Sequence, residues 1–283
     1  MNGIVTDDQW NRTRQALRDT SKRFIALVGA VDSAAMATAD WTVADTVAHL
    51  VVIAWMDNTL LDPEHPPPPV PDLRAAIART TVDTVDTLNE LCLRSFTERD
   101  AEALCARLEI EVERLLELSE RVDPRTLLSW LGESRLPVSG LLAHLVNEIL
   151  IHGRDIARAA GRDWHAEPAE AARFFDVFLA GVTASGVGRL QERDVAPPRR
   201  RIAVELRSRH AATVVLVLRG DDVDLGEPGR KVDVRIRYDP AALALMLFGR
   251  TSRLRAALTG KVVVTGRRPW LLFPFLRAVR FPS

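Results

Sequence analysis

The spacing of apolar residues changes at about residue 186, and this change constrains the fold more than any other feature of the sequence. Before that point, apolar residues recur every three to four positions, which is typical of helices that bury one face. After it, segments such as "RIAVELRS", "TVVLVLRG" and "VDVRIRY" approach a period of two, which is typical of strands. The first two-thirds of the chain is therefore predicted to be helical, and the last third mixed α and β.

The helical part is predicted to be a bundle. Its helical patterns cover residues 7–32, 43–61, 73–121, 138–160 and 168–186. Thr42 and Asp45 resemble a capping box at the start of the second helix. Six prolines between residues 62 and 72 forbid a helix there and predict an extended, rigid connector. Helices joined by connections of this kind indicate a helix bundle.

The polar, proline-containing segment "GVGRLQERDVAPPRRR" is predicted to be a linker, which gives two domains, residues 1–188 and 200–283. After the three strands, "DPAALALMLFG" and "SRLRAALTG" predict short helices and "KVVVTG" a last strand. "RPWLLFPFLRAV" predicts a closing helix with a proline kink. The predicted fold class is therefore a two-domain α+β protein.

Charge and composition exclude several classes of function. Lys+Arg and Asp+Glu balance at 38 each, so the overall charge favours neither nucleic acid nor an anionic membrane. The longest apolar stretches fall short of the ~20 residues that span a bilayer, and the N-terminus lacks the pattern of a secretory signal. Cys92 and Cys105 show no CxxC spacing. These features predict a cytoplasmic protein without membrane insertion.

The segment "HLVNEILIHGRD" carries polar residues on the apolar stripe of a helix. Glu148 and His152 stand one helical turn apart, so their side chains can meet at one point. His49 is another polar residue at a core position of an earlier apolar helix. Two imidazoles and a carboxylate suit Zn²⁺ and leave one position for water or substrate. Asp155, one turn after His152, is predicted to accept the other ring N–H of that histidine.

A purely structural interpretation of these residues remains open. Glu and His often occur one turn apart in helices that bind no metal, and a lone buried histidine is more often a core or boundary residue. His144 taken alone fits that description. The spacing therefore predicts a metal site as one of two alternatives.

Two motifs resemble the mycothiol-dependent maleylpyruvate isomerase family, within the DinB-like four-helix-bundle superfamily. "WTVADTVAHL" resembles its Trp-x-x-x-Asp-x-x-x-His-Leu pattern, and "NEILIHGRDIARAAGRDW" its Glu-x-x-x-His-x-x-Asp pattern followed by a small-residue turn. The resemblance covers about residues 8–185 and implies an up-down four-helix bundle. It implies that His49, Glu148 and His152 bind a divalent metal, usually zinc, and that the enzyme uses mycothiol, a thiol of actinobacteria.

The C-terminal segment "YDPAALALMLFGRTSRLRAALTGKVVVTGRRPWLLFPFL" is similar to sterol carrier protein-like domains, which form a sheet with helices over an apolar cavity. Relatives of the isomerase commonly carry such a domain against the bundle. The two resemblances together imply an isomerase, or a thiol transferase, that acts on a small electrophilic substrate through a zinc-bound thiolate. Three arginines of the C-terminal part are candidates to bind a substrate carboxylate: Arg235, Arg237 and Arg267. Ordinary charges on the surface of strands explain these arginines better.

Two other functions are compatible with the same sequence. One is a binding protein that holds a lipid or sterol-like ligand in the C-terminal domain, with the bundle as a scaffold. The residues that would line or cap such a cavity are Leu243, Leu245, Leu247, Phe248, Trp270, Leu272 and Phe273, although ordinary core packing explains them equally well. The other is a regulatory or stress-response protein that keeps the bundle but catalyses nothing.

Overall fold

The computed structural model describes residues 5–192, 200–229 and 231–280 of the chain. Helices form its first part and a five-stranded sheet dominates its last part, so the predicted α+β architecture is confirmed. Most of the predicted linker, residues 193–199, lies outside the described residues, and the domain limits 1–188 and 200–283 remain a prediction. The helices of the first part are α1 (Asp7–Val28), α2 (Val43–Leu61), α3 (Leu73–Arg79), α4 (Val85–Ser95), α5 (Ala101–Leu118), α6 (Val138–Ala159), α7 (Pro168–Arg173) and α8 (Ala180–Ser185).

Four long helices form a closed ring in which α1 packs against α5 and α6, and α2 packs against the same two helices. Their apolar faces meet in one core, where Leu17, Leu50, Leu108 and Leu145 are fully buried. The capping box predicted at Thr42 is present. The Thr42 hydroxyl accepts a hydrogen bond from the Asp45 backbone N–H, and the Asp45 carboxylate accepts one from the Thr42 backbone N–H. The bundle places the middle of α2 beside α6.

The structure differs from the predicted pattern in two places within this part. The helical stretch 73–121 is divided among α3, α4 and α5, because residues 80–84 and 96–100 leave the helical conformation. The break in pattern before α6 forms a small hairpin of β1 (Leu127–Ser129) and β2 (Arg135–Pro137). Strands of three residues are too short to show a period of two, so the sequence pattern did not predict this hairpin.

The sheet of the last part has the order β5-β4-β3-β6-β7, and neighbours are antiparallel except β3 and β6. Its strands are β3 (Ile202–Arg207), β4 (Val214–Arg219), β5 (Asp222–Leu225), β6 (Val234–Tyr238) and β7 (Val262–Thr265). The predicted turn "GDD" begins as a turn at Gly220, but its last residue starts an edge strand, Asp222–Leu225, that the pattern did not predict. Three helices complete this part: α9 (Pro240–Leu247), α10 (Arg253–Leu258) and α11 (Leu272–Ala278).

The two parts share one apolar core. Helix α9 contacts α7, and α8 contacts β5. Phe174 and Phe175, in a turn of π-helix that joins α7 to α8, pack against Phe248 and Tyr238 respectively. This packing brings the loop after α9 to the bundle, beside the C-terminal half of α6.

Candidate metal centre

The three predicted ligands meet between α2 and α6. His49 Nε2 lies 3.5 Å from Glu148 Oε2, and His152 Nε2 lies 3.6 Å from the same oxygen. One candidate ligand atom from each residue lies within 4.8 Å of the other two. All three side chains are largely buried, with between 5% and 16% of their surface exposed.

The donor set fits a small divalent cation. Ligands of a tetrahedral ion with bonds of about 2.0–2.1 Å are roughly 3.3 Å apart, close to the separations between each imidazole and Glu148. Among the described residues, no group forms a hydrogen bond with the buried His152 Nδ1, while His152 Nε2 faces the carboxylate. Nitrogen and carboxylate donors of this kind suit zinc and other first-row divalent metals.

The charge state of the centre follows from its burial and its close contacts. Burial alone would raise the pKa of Glu148, but attraction from His152, His49 and His144 outweighs it and holds that pKa well below its usual range. Burial lowers the pKa of His49, so its ring is neutral and ready to donate a lone pair. Burial also opposes protonation of His152, but Asp155 and Glu148 more than compensate and raise its pKa. Metal binding is therefore expected to compete with protonation of His152.

His144 belongs to the same polar cluster, although its position alone is typical of a boundary residue. Its Nε2 lies 3.5 Å from Glu148 Oε1, the oxygen that faces away from the other two imidazoles. Its ring packs against Trp130 and Phe178 at 5.0 Å and 5.2 Å between centroids. His144 thus contacts the carboxylate without joining the set of three converging donors.

Asp155 lies beside the centre and links it to the C-terminal part. Its Oδ2 is 3.6 Å from His152 Nδ1, which is close but longer than a hydrogen bond. The same carboxylate accepts a bifurcated hydrogen bond from Arg250 Nε, at 3.2 Å to each oxygen, and a second hydrogen bond from Nη2 at 2.8 Å. Arg250 also donates to the Phe248 carbonyl, so the loop after α9 is held against α6.

A cavity of about 680 Å³ opens over the three residues. Trp41 forms one wall, with its ring 4.8 Å from that of His49 and 5.8 Å from that of His152. The arginines that line the cavity are Arg154, Arg158 and Arg250, and its other charged lining residues include Asp40, Asp57, Asp86 and Glu90. A cavity of this volume is typical of sites that bind small molecules.

The three candidate arginines predicted from the sequence do not line the cavity, whereas Arg250 does. Arg235 and Arg237 are on β6, and Arg235 pairs with Glu205 on β3. Arg237 and Arg267 are exposed, and none of the three lines the cavity. Arg250 follows a glycine in the loop after α9, and no periodic pattern marks such a residue.

Asp57 is a cavity residue that the sequence pattern did not single out. It lies on α2 about two turns after His49, is 3% exposed, and its Oδ2 is buried without a hydrogen-bond partner among the described residues. Burial, and then the negative charge of Glu148, raise the pKa of Asp57 well above its usual range. Its signal in the sequence is weak, because a polar residue near the end of a helix is ordinarily exposed.

Replacing Asp57 with Asn is expected to stabilise the metal-free protein at pH 7.5 but not at pH 4. Above about pH 3.9 an unfolded Asp ionises while the buried one stays protonated, so stability falls as the pH rises towards the folded pKa. Asn removes that dependence, and each kcal/mol recovered raises Tm by about 2–4 °C. Thermal unfolding at both pH values, with exposed Asp86→Asn as the control, tests this; an equal change at both would contradict it.

Comparison with known proteins supports a family assignment. Residues 15–157 match the sequence family described as the mycothiol maleylpyruvate isomerase N-terminal domain. The match covers about half of the chain and includes α2 and almost all of α6, which carry the three converging donors. This chain belongs to that family. No curated protein matches the sequence.

Solved structures of the family give similar but distant matches. A crystal structure of the mycothiol-dependent maleylpyruvate isomerase is 15% identical, with 90% of this chain and 92% of that chain covered and a TM-score of 0.46. A histidine-to-alanine mutant of that enzyme matches with the same identity and coverage and a TM-score of 0.49. Sterol Carrier Protein 2 from Yarrowia lipolytica, in its apo form, is 20% identical over 28% of this chain and 67% of its own, with a TM-score of 0.20.

The apolar residues that could line or cap a lipid cavity do not share one environment in the structure. Leu243 and Phe248 are buried in the shared core, and Phe248 also lines the cavity over the three converging donors. Leu245, Leu247 and Leu272 pack partly buried against the same core. Trp270 and Phe273 are exposed on the surface.

Proposed function

We propose that this chain is a metal-dependent isomerase that uses a low-molecular-weight thiol, in the first instance mycothiol, to convert a small cis-unsaturated acid into its trans isomer. The convergence of His49, Glu148 and His152 at the base of a cavity is the observation that carries the proposal. Membership of the mycothiol maleylpyruvate isomerase family supports the thiol and the class of substrate.

The proposed reaction has three steps, and the thiolate is regenerated in the last of them. The thiolate sulfur adds to one carbon of the activated double bond, the resulting single bond rotates, and elimination of the same thiolate restores the double bond in the trans form. A bound divalent metal, zinc in this proposal, would lower the pKa of the thiol so that it reacts as a thiolate at neutral pH.

The residues of the chain hold, orient and enclose the reactants in this proposal. His49, Glu148 and His152 would hold the metal, and Asp155 would limit the orientation of the His152 ring. Arg250, held by its pair with Asp155, lines the cavity, and the guanidinium N–H groups that do not bond Asp155 would donate to a substrate carboxylate. We propose a cytoplasmic location, because low-molecular-weight thiols stay reduced there.

The test is to supply maleylpyruvate and mycothiol to the purified protein and follow formation of the trans acid. The proposal predicts turnover that requires the thiol, stops with a chelator and returns with one equivalent of metal. Accumulation of a stable thioether instead of the trans acid would assign the protein to thiol transfer. Turnover that continues at full rate after metal removal would contradict the proposal.

Replacing Arg250 with Ala is expected to raise KM for a carboxylate substrate by about tenfold or more, because a charged hydrogen bond contributes roughly 1.5–3 kcal/mol. Steady-state kinetics measures this, and Arg237→Ala is the matched control, since that arginine is exposed on β6 away from the cavity. An unchanged KM in Arg250→Ala together with a raised KM in Arg237→Ala would instead indicate that Arg237, on the sheet, binds the substrate carboxylate.

A further inference from the structure

The end of the chain carries a concentrated positive charge that the neutral total conceals. Residues 240–283 contain eight arginines and lysines and no aspartate or glutamate, whereas the whole chain has 38 of each sign. A segment of this length with one sign of charge creates a local field even in a protein with no net charge.

Only part of this charge is neutralised by the protein. Arg250 pairs with Asp155, Arg268 with Asp233 and Arg280 with Asp83. Four other cations are exposed and have no carboxylate partner among the described residues: Arg255, Lys261, Arg267 and Arg277. These four charges are directed to solvent.

The most exposed large apolar side chains occur in the same segment. Leu254 and Leu258, one turn apart on α10, are 70% and 77% exposed, and Trp270 and Phe273 are 67% and 62% exposed. Each exceeds every other large apolar side chain of the described residues. Since exposing a tryptophan and a phenylalanine to water is unfavourable, this arrangement indicates a surface with a partner.

These residues lie at the two ends of the edge strand β7, because α10 precedes that strand and the turn Pro269–Leu271 follows it. Strand β7 is the last strand of the sheet, α10 contacts β7, and the 3₁₀ turn Pro269–Leu271 contacts the neighbouring β6. Trp270, Phe273 and Arg277 follow one another at helical spacing, and the Arg277 guanidinium lies 5.8 Å from the Phe273 ring. We call this surface the basic edge, defined by Leu254, Arg255, Leu258, Lys261, Arg267, Trp270, Phe273 and Arg277.

We propose that the basic edge docks the protein on the surface of an anionic phospholipid bilayer. Trp and Phe side chains favour the depth of the lipid headgroups, leucines enter the acyl boundary, and each Lys or Arg near an anionic leaflet adds attraction. A second copy of the chain fits less well, because two basic edges repel each other. The attachment is peripheral, since no helix of the described residues is both long and apolar enough to cross a bilayer.

Co-sedimentation with vesicles tests the proposal. The intact protein is expected to bind vesicles that mix phosphatidylcholine with phosphatidylglycerol, to leave pure phosphatidylcholine vesicles largely unbound, and to dissociate in about 1 M salt, where the Debye length is about 3 Å. Trp270→Ser with Phe273→Ser is expected to reduce the bound fraction about fivefold or more. Ile110→Ser, which removes a similarly exposed apolar side chain from α5, is the matched control and is expected to bind normally.

A second pair of variants separates the contribution of charge from that of the aromatic residues. Arg267→Glu with Arg277→Glu leaves Trp270 and Phe273 in place and is expected to abolish binding to anionic vesicles, even if the aromatic variant fails to fold. Equal binding of the intact protein to both kinds of vesicle, or to neither, would overturn the proposal. A dimer in light scattering that becomes monomeric in Trp270→Ser/Phe273→Ser would instead assign the basic edge to self-association.

Discussion

His49→Ala and Glu148→Ala are each expected to lose stoichiometric metal while keeping the helical content of the protein. Each change removes one of three converging donors, and two donors hold a first-row metal far more weakly than three. Changes to residues that only orient a ligand lower metal affinity about 10–100-fold. Loss of a ligand itself is therefore expected to lower metal affinity by more than about 100-fold. Isomerase activity is expected to fall in parallel.

Elemental analysis of the dialysed variants, with circular dichroism to follow folding, measures these effects. His144→Ala is the informative control, because His144 contacts Glu148 Oε1 but is not one of the three converging donors. It is expected to retain the metal. Exposed His165 supplies a second control outside the centre. Full metal occupancy in both His49→Ala and Glu148→Ala would remove these residues from any metal site.

Glu111→Ala is expected to destabilise the protein by about 3 kcal/mol, because it breaks a buried polar network between α2, α5 and the proline-rich connector. Glu111 is 1% exposed; it accepts hydrogen bonds from Asn58 Nδ2 and Arg107 Nε, both at 2.6 Å. His65 of the connector lies 3.5 Å away. Without the carboxylate, the buried Asn58 amide loses a partner and a cavity remains between the helices.

At about 2–4 °C for each kcal/mol, this loss corresponds to a fall in Tm of roughly 6–12 °C. Glu113→Ala, on the exposed side of the same helix, is the matched control and is expected to change stability by less than about 0.5 kcal/mol. Thermal and urea unfolding of the metal-free proteins measures the difference. A Glu111→Ala variant as stable as Glu113→Ala would show that the network contributes little.

The network also attaches the proline-rich connector to the bundle. The predicted extended connector contains no regular helix, and Trp55 Nε1 donates to the Pro66 carbonyl at 2.6 Å. The guanidinium of Arg107 lies 3.8 Å from the centre of the Trp55 indole, a favourable cation–π distance. The connector is therefore anchored to α2 and α5 through Trp55, His65 and Pro66.

The sequence predicted the parts of the candidate centre that depend on neighbours along one helix. Glu148 and His152 are one turn apart, and their side chains do lie near each other on α6. The Thr42–Asp45 capping box was predictable for the same reason. His49 was singled out because a polar residue stood among apolar ones, but α2 is buried on several sides, so its pattern does not specify which face meets α6.

Other site residues could not be predicted because their positions depend on contacts between distant segments. Trp41 enters the cavity wall from the loop before α2, and Arg250 reaches Asp155 only because α9 packs on α7. The candidates Arg235, Arg237 and Arg267 do not line the cavity, and the sequence did not single out Arg250, because arginines on strands and in loops look alike in sequence. The raised pKa of Asp57 likewise depends on burial and on Glu148, which a linear pattern does not contain.

The sequence alone thus determined the division into helical and sheet-containing parts, most of the helices and strands, and the alignment of Glu148 with His152. These features depend on interactions within a few turns or a few residues. Only the tertiary structure decided that His49, Trp41, Asp57 and Arg250 meet at the same cavity. The physical reason is that these residues come from distant segments. Their convergence depends on how the helices pack, and packing is determined by the free energy of the whole core.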